Sequence, residues 1–245
     1  MKLIIGNWKM NPESPVLAKN LFAQTAKIKV PKGVKLGVAV PYIHLGDLPK
    51  ADLLVGAQDV SAFDGVGAHT GQISVAMLKK SGVKFAIIGH SERRQELNED
   101  DAVVAKKCMA CAGRGVLPIL CVGEPLAARQ KGESEAVEFV RYQLEKVFSQ
   151  RRYIPKELVV AYEPFWAIST ARDKQKITPE VALRMMNEIR AWLEKRSGQK
   201  GWTIIYGGSV SPENAGNFIN LGDGALVGAA SLDPKKMLRI IKALK

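Results

Sequence analysis

The sequence predicts an α/β chain folded as one (β/α)8 barrel over residues 1–245, with eight parallel strands inside and helices outside. Three observations carry this prediction. Eight short apolar runs recur along the chain, helical patterns with recognisable caps separate them, and polar residues and glycines gather where the runs end. Strands that alternate with helices demand parallel pairing, because each crossover returns the chain to the same edge of the sheet. An open doubly wound sheet is the rival. It would place a G-x-G-x-x-G turn after the first strand, and none stands there. No linker or low-complexity stretch divides the chain.

Leu3-Ile4-Ile5 is the first run and ends in Gly6-Asn7-Trp8-Lys9. Ser14-Pro15 gives an N-cap followed by proline at the first helical position, and Val16, Leu17, Leu21 and Phe22 carry helical spacing to about Ile28. Leu36 to Val40 is the second strand, closed by Pro41, and Leu53 to Ala57 the third, followed by the glycine-rich loop Gly65 to Gly71. Ser74 to Lys80 fits a short helix stopped near Gly82. Phe85 to Gly89 is the fourth strand; His90-Ser91-Glu92-Arg93-Arg94 follows, then a helix from about Asn98 to Ala112. Val116 to Cys121 is the fifth, where Pro118 requires a bend or a position whose N–H is unpaired. Ser134 to Phe148 is amphipathic and helical. Leu158 to Tyr162, too short for an ordinary helix, is the sixth strand. Thr178-Pro179 starts a long helix that Ser197-Gly198 ends; Thr203 to Tyr206 is strand seven, and Ser211-Pro212 starts a short helix. Ala225 to Val227 is strand eight, and Asp233-Pro234 caps the last helix.

Composition is that of an ordinary globular chain, with 47% hydrophobic and 24% charged residues. No apolar run is long enough to span a membrane, and the first ten residues do not form a signal-peptide core, so a cytoplasmic location is expected. The net charge of +12 favours anionic partners. The basic residues are spread out and not interleaved with aromatics, which sets nucleic acid aside as the main partner. Cys108, Cys111 and Cys121 make an odd, low count that argues against a disulfide framework. The Cys108/Cys111 pair lies inside a helical pattern with no second pair and no nearby histidine, so both read as helix residues and not as zinc ligands.

In such barrels the chemistry sits on the loops after the C-terminal ends of strands. Those positions carry Asn7 and Lys9, His90, Glu163, Gly207-Gly208-Ser209, and Gly228-Ala229. Each alone has a plain structural explanation: a surface amine, a turn asparagine, a core histidine, a loop. Their convergence on one rim is what chance explains poorly. Pro164 holds Glu163 to extended backbone, and Phe165 and Trp166 can cover its carboxylate from water. Glu163 is therefore a candidate base for a carbon-bound proton, His90 a candidate to polarise the adjacent oxygen, and Lys9 a positive charge for an anionic substrate. Glycine turns let backbone N–H groups approach an anion, and a short helix N-terminus near Ser211 or Ser231 adds a favourable dipole.

The motifs Asn7-Trp8-Lys9-Met10-Asn11, Gly67-Ala68-His69-Thr70-Gly71, Gly89-His90-Ser91-Glu92-Arg93-Arg94, Cys121-Val122-Gly123-Glu124, Ala161 to Ile168 and Tyr206-Gly207-Gly208-Ser209-Val210 together make the chain resemble the triosephosphate isomerase family over its whole length. The resemblance implies a TIM barrel that interconverts dihydroxyacetone phosphate and D-glyceraldehyde 3-phosphate without cofactor or metal. It implies Glu163 as the proton shuttle and His90 as a neutral electrophile kept so by a helix N-terminus, a tuning for which this family is a standing worked example. It further implies that Asn7 and Lys9 bind substrate, and that backbone near Ser169, Ser209, Gly228 and Ala229 holds phosphate. Glu92, Glu124, Trp166 and Tyr206 would support the site. Glu124 would hold the Trp166 indole while a lid after Glu163 stands open. Thr70 would reach the neighbouring subunit of a homodimer near Asn7 and Lys9.

The chain departs from the family pattern in three places. The lid reads Ala167-Ile168-Ser169-Thr170-Ala171 in place of Ala-Ile-Gly-Thr-Gly, and the charged stretch Arg172 to Lys176 lengthens it. Serine and alanine tolerate positive φ poorly, so altered lid kinetics are expected. A weakened barrel that keeps only phosphate-ligand binding or an interaction role is the alternative. Ala229 stands where the family has a second glycine. Gln72 stands where it has glutamate, which would reduce a charge pair with Arg93 across the dimer to a neutral hydrogen bond.

Overall fold

The computed structural model describes residues 1–149, 154–168 and 176–244. Eight parallel strands close in sequence order: β1 (Lys2–Asn7), β2 (Val34–Val40), β3 (Leu54–Ala57), β4 (Phe85–Ile88), β5 (Leu117–Val122), β6 (Val159–Tyr162), β7 (Thr203–Tyr206) and β8 (Gly224–Val227). Closure is direct, because β1 pairs with both β2 and β8. Outside lie α1 (Pro15–Ala26), α2 (Val75–Lys80), α3 (Ser91–Glu96), α4 (Asp101–Gly113), α5 (Leu126–Gln130), α6 (Glu133–Phe148), α7 (Pro179–Ser197), α8 (Ala215–Ile219) and α9 (Pro234–Lys242). A 3-10 turn, Tyr42–Asp47, stands where a helix after β2 would be. Among the described residues no helix is long and apolar enough to cross a membrane.

The caps act as their chemistry requires. Ser14, Ser74, Thr178 and Asp233 each accept a backbone N–H of the first turn they precede, and Gly198 ends α7 in the left-handed conformation. Pro118 stays inside β5 at no cost to the ladder. Leu117 donates its N–H toward β4, so the ring nitrogen of Pro118 faces β6, whose pairing begins only at Ile119.

Several boundaries differ from the sequence expectation. The helix expected from Asn98 starts at Asp101, because Asn98 adopts φ 52 and Asp100 supplies the cap. The separate short helix α3 precedes it, and α5 precedes α6; each is about a turn and a half, too short to show helical periodicity. Ser211 starts a turn and not a helix: its N–H donates to Asn214 Oδ1 at 2.8 Å and α8 begins at Ala215. Likewise Ser231 lies inside a 3-10 turn that begins at Ala229. The helix start expected near Ser211 is corrected accordingly, while the one expected near Ser231 lies two residues earlier, at Ala229.

Alternation along the strands sorts the side chains. Leu3, Ile5, Phe85, Ile87, Ile119, Cys121, Val159, Ala161, Ile205 and Leu226 form one buried cluster that fills the barrel, while the intervening residues pack against the helices. Phe85 needs room at this level: a Cβ on Gly56 would lie 2.2 Å from its ring. Continuing the same alternation to the strand ends gives the next inward layer, Asn7 and Glu163 with glycines at 89, 123, 207 and 228. With Gln58, which the same parity turns inward from β3, the topmost layer holds three polar side chains and, over the glycines, empty space that is the pocket.

Candidate active site

Glu163 stands one residue beyond β6 and is almost wholly buried, at 1% exposure. Its N–H is held by the Val122 carbonyl at 2.8 Å, so its backbone still belongs to the barrel wall. Its Oε2 accepts the Ser91 N–H at 3.1 Å, and its Oε1 lies 3.4 Å from His90 Nε2. Beneath it, burial and the neighbouring carboxylate push the Cys121 thiol well up, so Cys121 remains a protonated, packed side chain. The glycines beside Glu163 make its position possible. A Cβ on Gly207 would lie 2.6 Å from Glu163 Cγ, and one on Gly123 would lie 1.7 Å from the Glu163 carbonyl oxygen.

His90 caps α3. Its Nδ1 accepts the Glu92 N–H at 3.2 Å, so this nitrogen carries no proton and Nε2 is the N–H that faces Glu163 and the pocket. The helix start thereby orients the ring with Nε2 turned inward.

Lys9 adopts φ 52, a conformation uncommon outside glycine. Three contacts hold it there. Its N–H donates to Asn7 Oδ1 at 3.0 Å, its carbonyl accepts Gln58 Nε2 at 2.7 Å, and its ammonium pairs with Glu92 Oε1 at 2.5 Å. Gln58 also donates to the Ala39 carbonyl at 3.1 Å, tying the Lys9 turn to β2. Replacing Gln58 by leucine leaves the Lys9 carbonyl unpaired, since the Ala39 carbonyl still accepts the Trp8 N–H at 3.1 Å, and lets Lys9 relax. We expect kcat/KM to fall by about 10²-fold, as for an ångström-scale misplacement of a catalytic group. Steady-state kinetics check this, and unchanged kcat/KM in a folded variant would count against the role of Gln58.

Asn7, Lys9, His90 and Glu163 line one pocket with Gly207, Gly208, Ser209, Gly228, Ala229 and Ala230. The 3-10 turn starts directly after Gly228, and its first residues face this pocket. Ser169, expected to join them, lies outside the described residues, as does the altered lid sequence up to residue 175.

Glu124 is fully buried and its Oε1 gathers the Trp166 indole N–H at 2.9 Å, the Tyr162 hydroxyl at 3.1 Å and the Arg129 guanidinium at 2.6 Å. Burial, and after it the Glu124 charge, push the Tyr162 phenol well up, so it stays a donor to that carboxylate. Arg129 also lies 5.6 Å from the Trp166 ring centroid. Tyr206 is buried beneath Gly208, and its hydroxyl has no hydrogen-bond partner among the described residues. Thr70 is exposed on the loop after β3. In that loop Phe63 and His69 stack at 3.8 Å.

Sequence reasoning missed Gln58, whose signal was its place just beyond β3, and Ser91, quoted in a motif without a role. It also missed a buried ion cluster. Lys107, read only as a helix residue, pairs with Asp59 at 2.7 Å and Glu99 at 2.8 Å, and Arg93 pairs with the same two carboxylates. Burial pushes the Asp59 carboxyl up while Lys107 opposes the shift. The cluster braces the segment that carries Gln58. Cys108 and Cys111 are buried beside it on α4; burial raises both thiols, that of Cys111 to about 12.

A buried carboxylate facing an imidazole N–H, with a lysine on the same pocket and glycine turns opposite, defines an acid–base barrel enzyme for a small anionic substrate. The triosephosphate isomerase family model matches residues 2–244. The chain is 44% identical to the triosephosphate isomerase of Delftia acidovorans over 99% of its own length and 98% of that protein's. It is 41% identical to that of an Azoarcus species, over 99% and 98%, and 40% identical to that of Thermus thermophilus, over 98% and 97%. The chain belongs to the triosephosphate isomerase family.

Proposed function

We propose that this chain interconverts dihydroxyacetone phosphate and D-glyceraldehyde 3-phosphate by proton transfer through an enediolate. The observation that carries the reading is the buried Glu163 carboxylate set against His90 Nε2 in a pocket that also holds Lys9. Glu163 leaves its Ser91 contact, takes the proton from one substrate carbon and returns it to the next. The His90 Nε2–H donates to the substrate oxygen, and Lys9 with Asn7 stabilises the charge that builds there. Backbone near Ser209, Gly228 and Ala229 receives the phosphate. Glu92 positions Lys9 and His90, and Glu124 holds Trp166. The test is turnover of D-glyceraldehyde 3-phosphate in D2O. Proton transfer places solvent deuterium in the product on the carbon beside its carbonyl; a hydride shift leaves that carbon unlabelled and overturns the mechanism. Absence of turnover overturns the activity.

A homodimer fits the surface. Met10, Ile43, Val66 and Leu97 are strongly exposed apolar residues on the loops around the site, and Thr70 is presented among them. The resemblance expects Arg93 and the position of Gln72 to meet across that interface. Within one chain Gln72 Oε1 already takes the Ser61 hydroxyl at 2.6 Å, and Arg93 is committed to Asp59 and Glu99 at 2.8 and 2.6 Å. We therefore expect weak association, with monomers appearing by mass photometry at nanomolar concentration. A dimer that resists this dilution counts against the argument.

A further inference from the structure

The barrel has a second face, formed by the connections that lead from each helix into the next strand, and it faces away from the pocket. In sequence the lysines on it look scattered; closure of the barrel brings them together. Lys29, Lys32, Lys50, Lys84, Lys156 and Lys200 are all exposed on these connections. None of them forms an ion pair among the described residues. The carboxylates in the same described connections are Asp52, Glu157 and Asp223, and Asp223 is already bound to Arg190 at 2.8 Å. Helix C-termini also point this way, and their partial negative charge accounts for basic residues in the last turns, such as Lys79, Lys80 and Lys195. The connection lysines lie beyond those turns and are surplus to that need. The six lysines outnumber the two remaining carboxylates, Asp52 and Glu157, by four, so about a third of the +12 net charge lies opposite the active site.

We propose that this face binds the phosphate backbone of duplex nucleic acid, without reading its sequence. A small anion would engage one or two of these amines. Charges set around the whole end of a barrel instead match a polymer that presents a negative charge every ~1.7 Å. The unpaired cations named above are flexible ammonium point charges, the exposed guanidinium of Arg114 being bound to Asp64 at 3.0 Å, and Trp202, the aromatic residue in the described connections, is buried at 4% exposure. Among the described residues the connections thus offer no exposed ring for base stacking, and contact by these lysines is confined to the backbone. This accounts for the absence of any nucleic-acid motif: the footprint is made by topology and not by consecutive residues.

The test compares two charge-reversed variants of equal net charge. One is Lys29→Glu/Lys32→Glu/Lys84→Glu on this face. The other is Lys131→Glu/Lys235→Glu/Lys236→Glu, whose exposed side chains lie at the opposite end, on the helix-entry side. Binding is read by fluorescence anisotropy of a labelled duplex of about 20 base pairs at 0.15 M salt, with isomerase activity confirming that each variant is folded. The parent is expected to bind at about 10⁻⁴–10⁻⁶ M, the ordinary range for backbone-only contact. The first variant should bind at least ~10-fold more weakly, with a salt slope smaller by about three, and the second within about threefold of the parent. Equal losses in both variants would show that net charge alone acts and would overturn the proposal. So would absence of parent binding at this salt, or parent binding to phosphatidylserine vesicles without binding to the duplex.

Discussion

Replacing Glu163 by glutamine is expected to lower kcat by about 10⁴-fold, the upper range for loss of a positioned acid–base group, and to leave KM within a few-fold. Glutamine keeps the length of the side chain and an oxygen that can accept the Ser91 N–H, so the resting contact at 3.1 Å survives and the pocket keeps its shape. What is lost is the capacity to carry a proton. Glu163→Asp separates chemistry from reach. It keeps the base but draws the carboxylate back by about an ångström, and about 10² in kcat should go with it. The same ordering should appear as loss of deuterium incorporation during turnover in D2O. A Glu163→Gln variant that retains more than about a hundredth of parent kcat would move the base elsewhere in the pocket.

How legible the fold and site were depends on which forces wrote them. Strand β7 and the caps Ser14, Thr178 and Asp233 stand where the sequence puts them, because apolar runs and side-chain capping are local. Asn7, Lys9, His90 and Glu163 were legible because each follows a recognisable strand, and the parity of the strands then turns Asn7 and Glu163 inward. Glu92, which the motif resemblance placed beside the site, does pair with Lys9, but two other contacts that fix these groups were not legible. Gln58 reaches Lys9 across 49 positions, and the Ser91 N–H reaches Glu163 across 72. Neither bond has a local pattern, since each exists only when strands distant in sequence become neighbours in the barrel. The ion cluster of Asp59, Arg93, Glu99 and Lys107 was hidden for the same reason: Lys107 on a helix reads as solvated until the fold brings two carboxylates to it. The Ser211 assignment differs in another way. Serine before a helical pattern signals a cap, and Ser211 Oγ does accept the Glu213 N–H at 3.3 Å, but the residues directly after it form a turn and α8 begins only at Ala215.

The glycines around Glu163 allow the backbone and the side chain of the base to be perturbed separately. Gly123→Ala is expected to lower both stability and turnover. Its Cβ would sit 1.7 Å from the Glu163 carbonyl oxygen, a backbone atom that cannot rotate away. To admit it, the tops of β5 and β6 must part, and the 2.8 Å bond from Glu163 N–H to the Val122 carbonyl is the one most exposed to that separation. Forced overpacking costs about 1–3 kcal/mol, and more where backbone must move. For a chain of this length each kilocalorie lowers Tm by about 2–4 °C, so a cost at the upper end, about 3 kcal/mol, lowers Tm by about 6–12 °C. Displacement of Glu163 by about an ångström should reduce kcat by about 10²-fold besides. Gly207→Ala meets the side chain instead, 2.6 Å from Glu163 Cγ, and a side chain can turn aside. That variant should lose kcat while Tm moves by less than about 3 °C, a cost of at most about 1 kcal/mol. Gly46→Ala, whose Cβ would meet nothing within 4 Å, sets the baseline for both measurements. If Gly123→Ala and Gly207→Ala gave the same Tm, the base would not be held through its backbone, and its position would have to come from the Ser91 and His90 contacts alone.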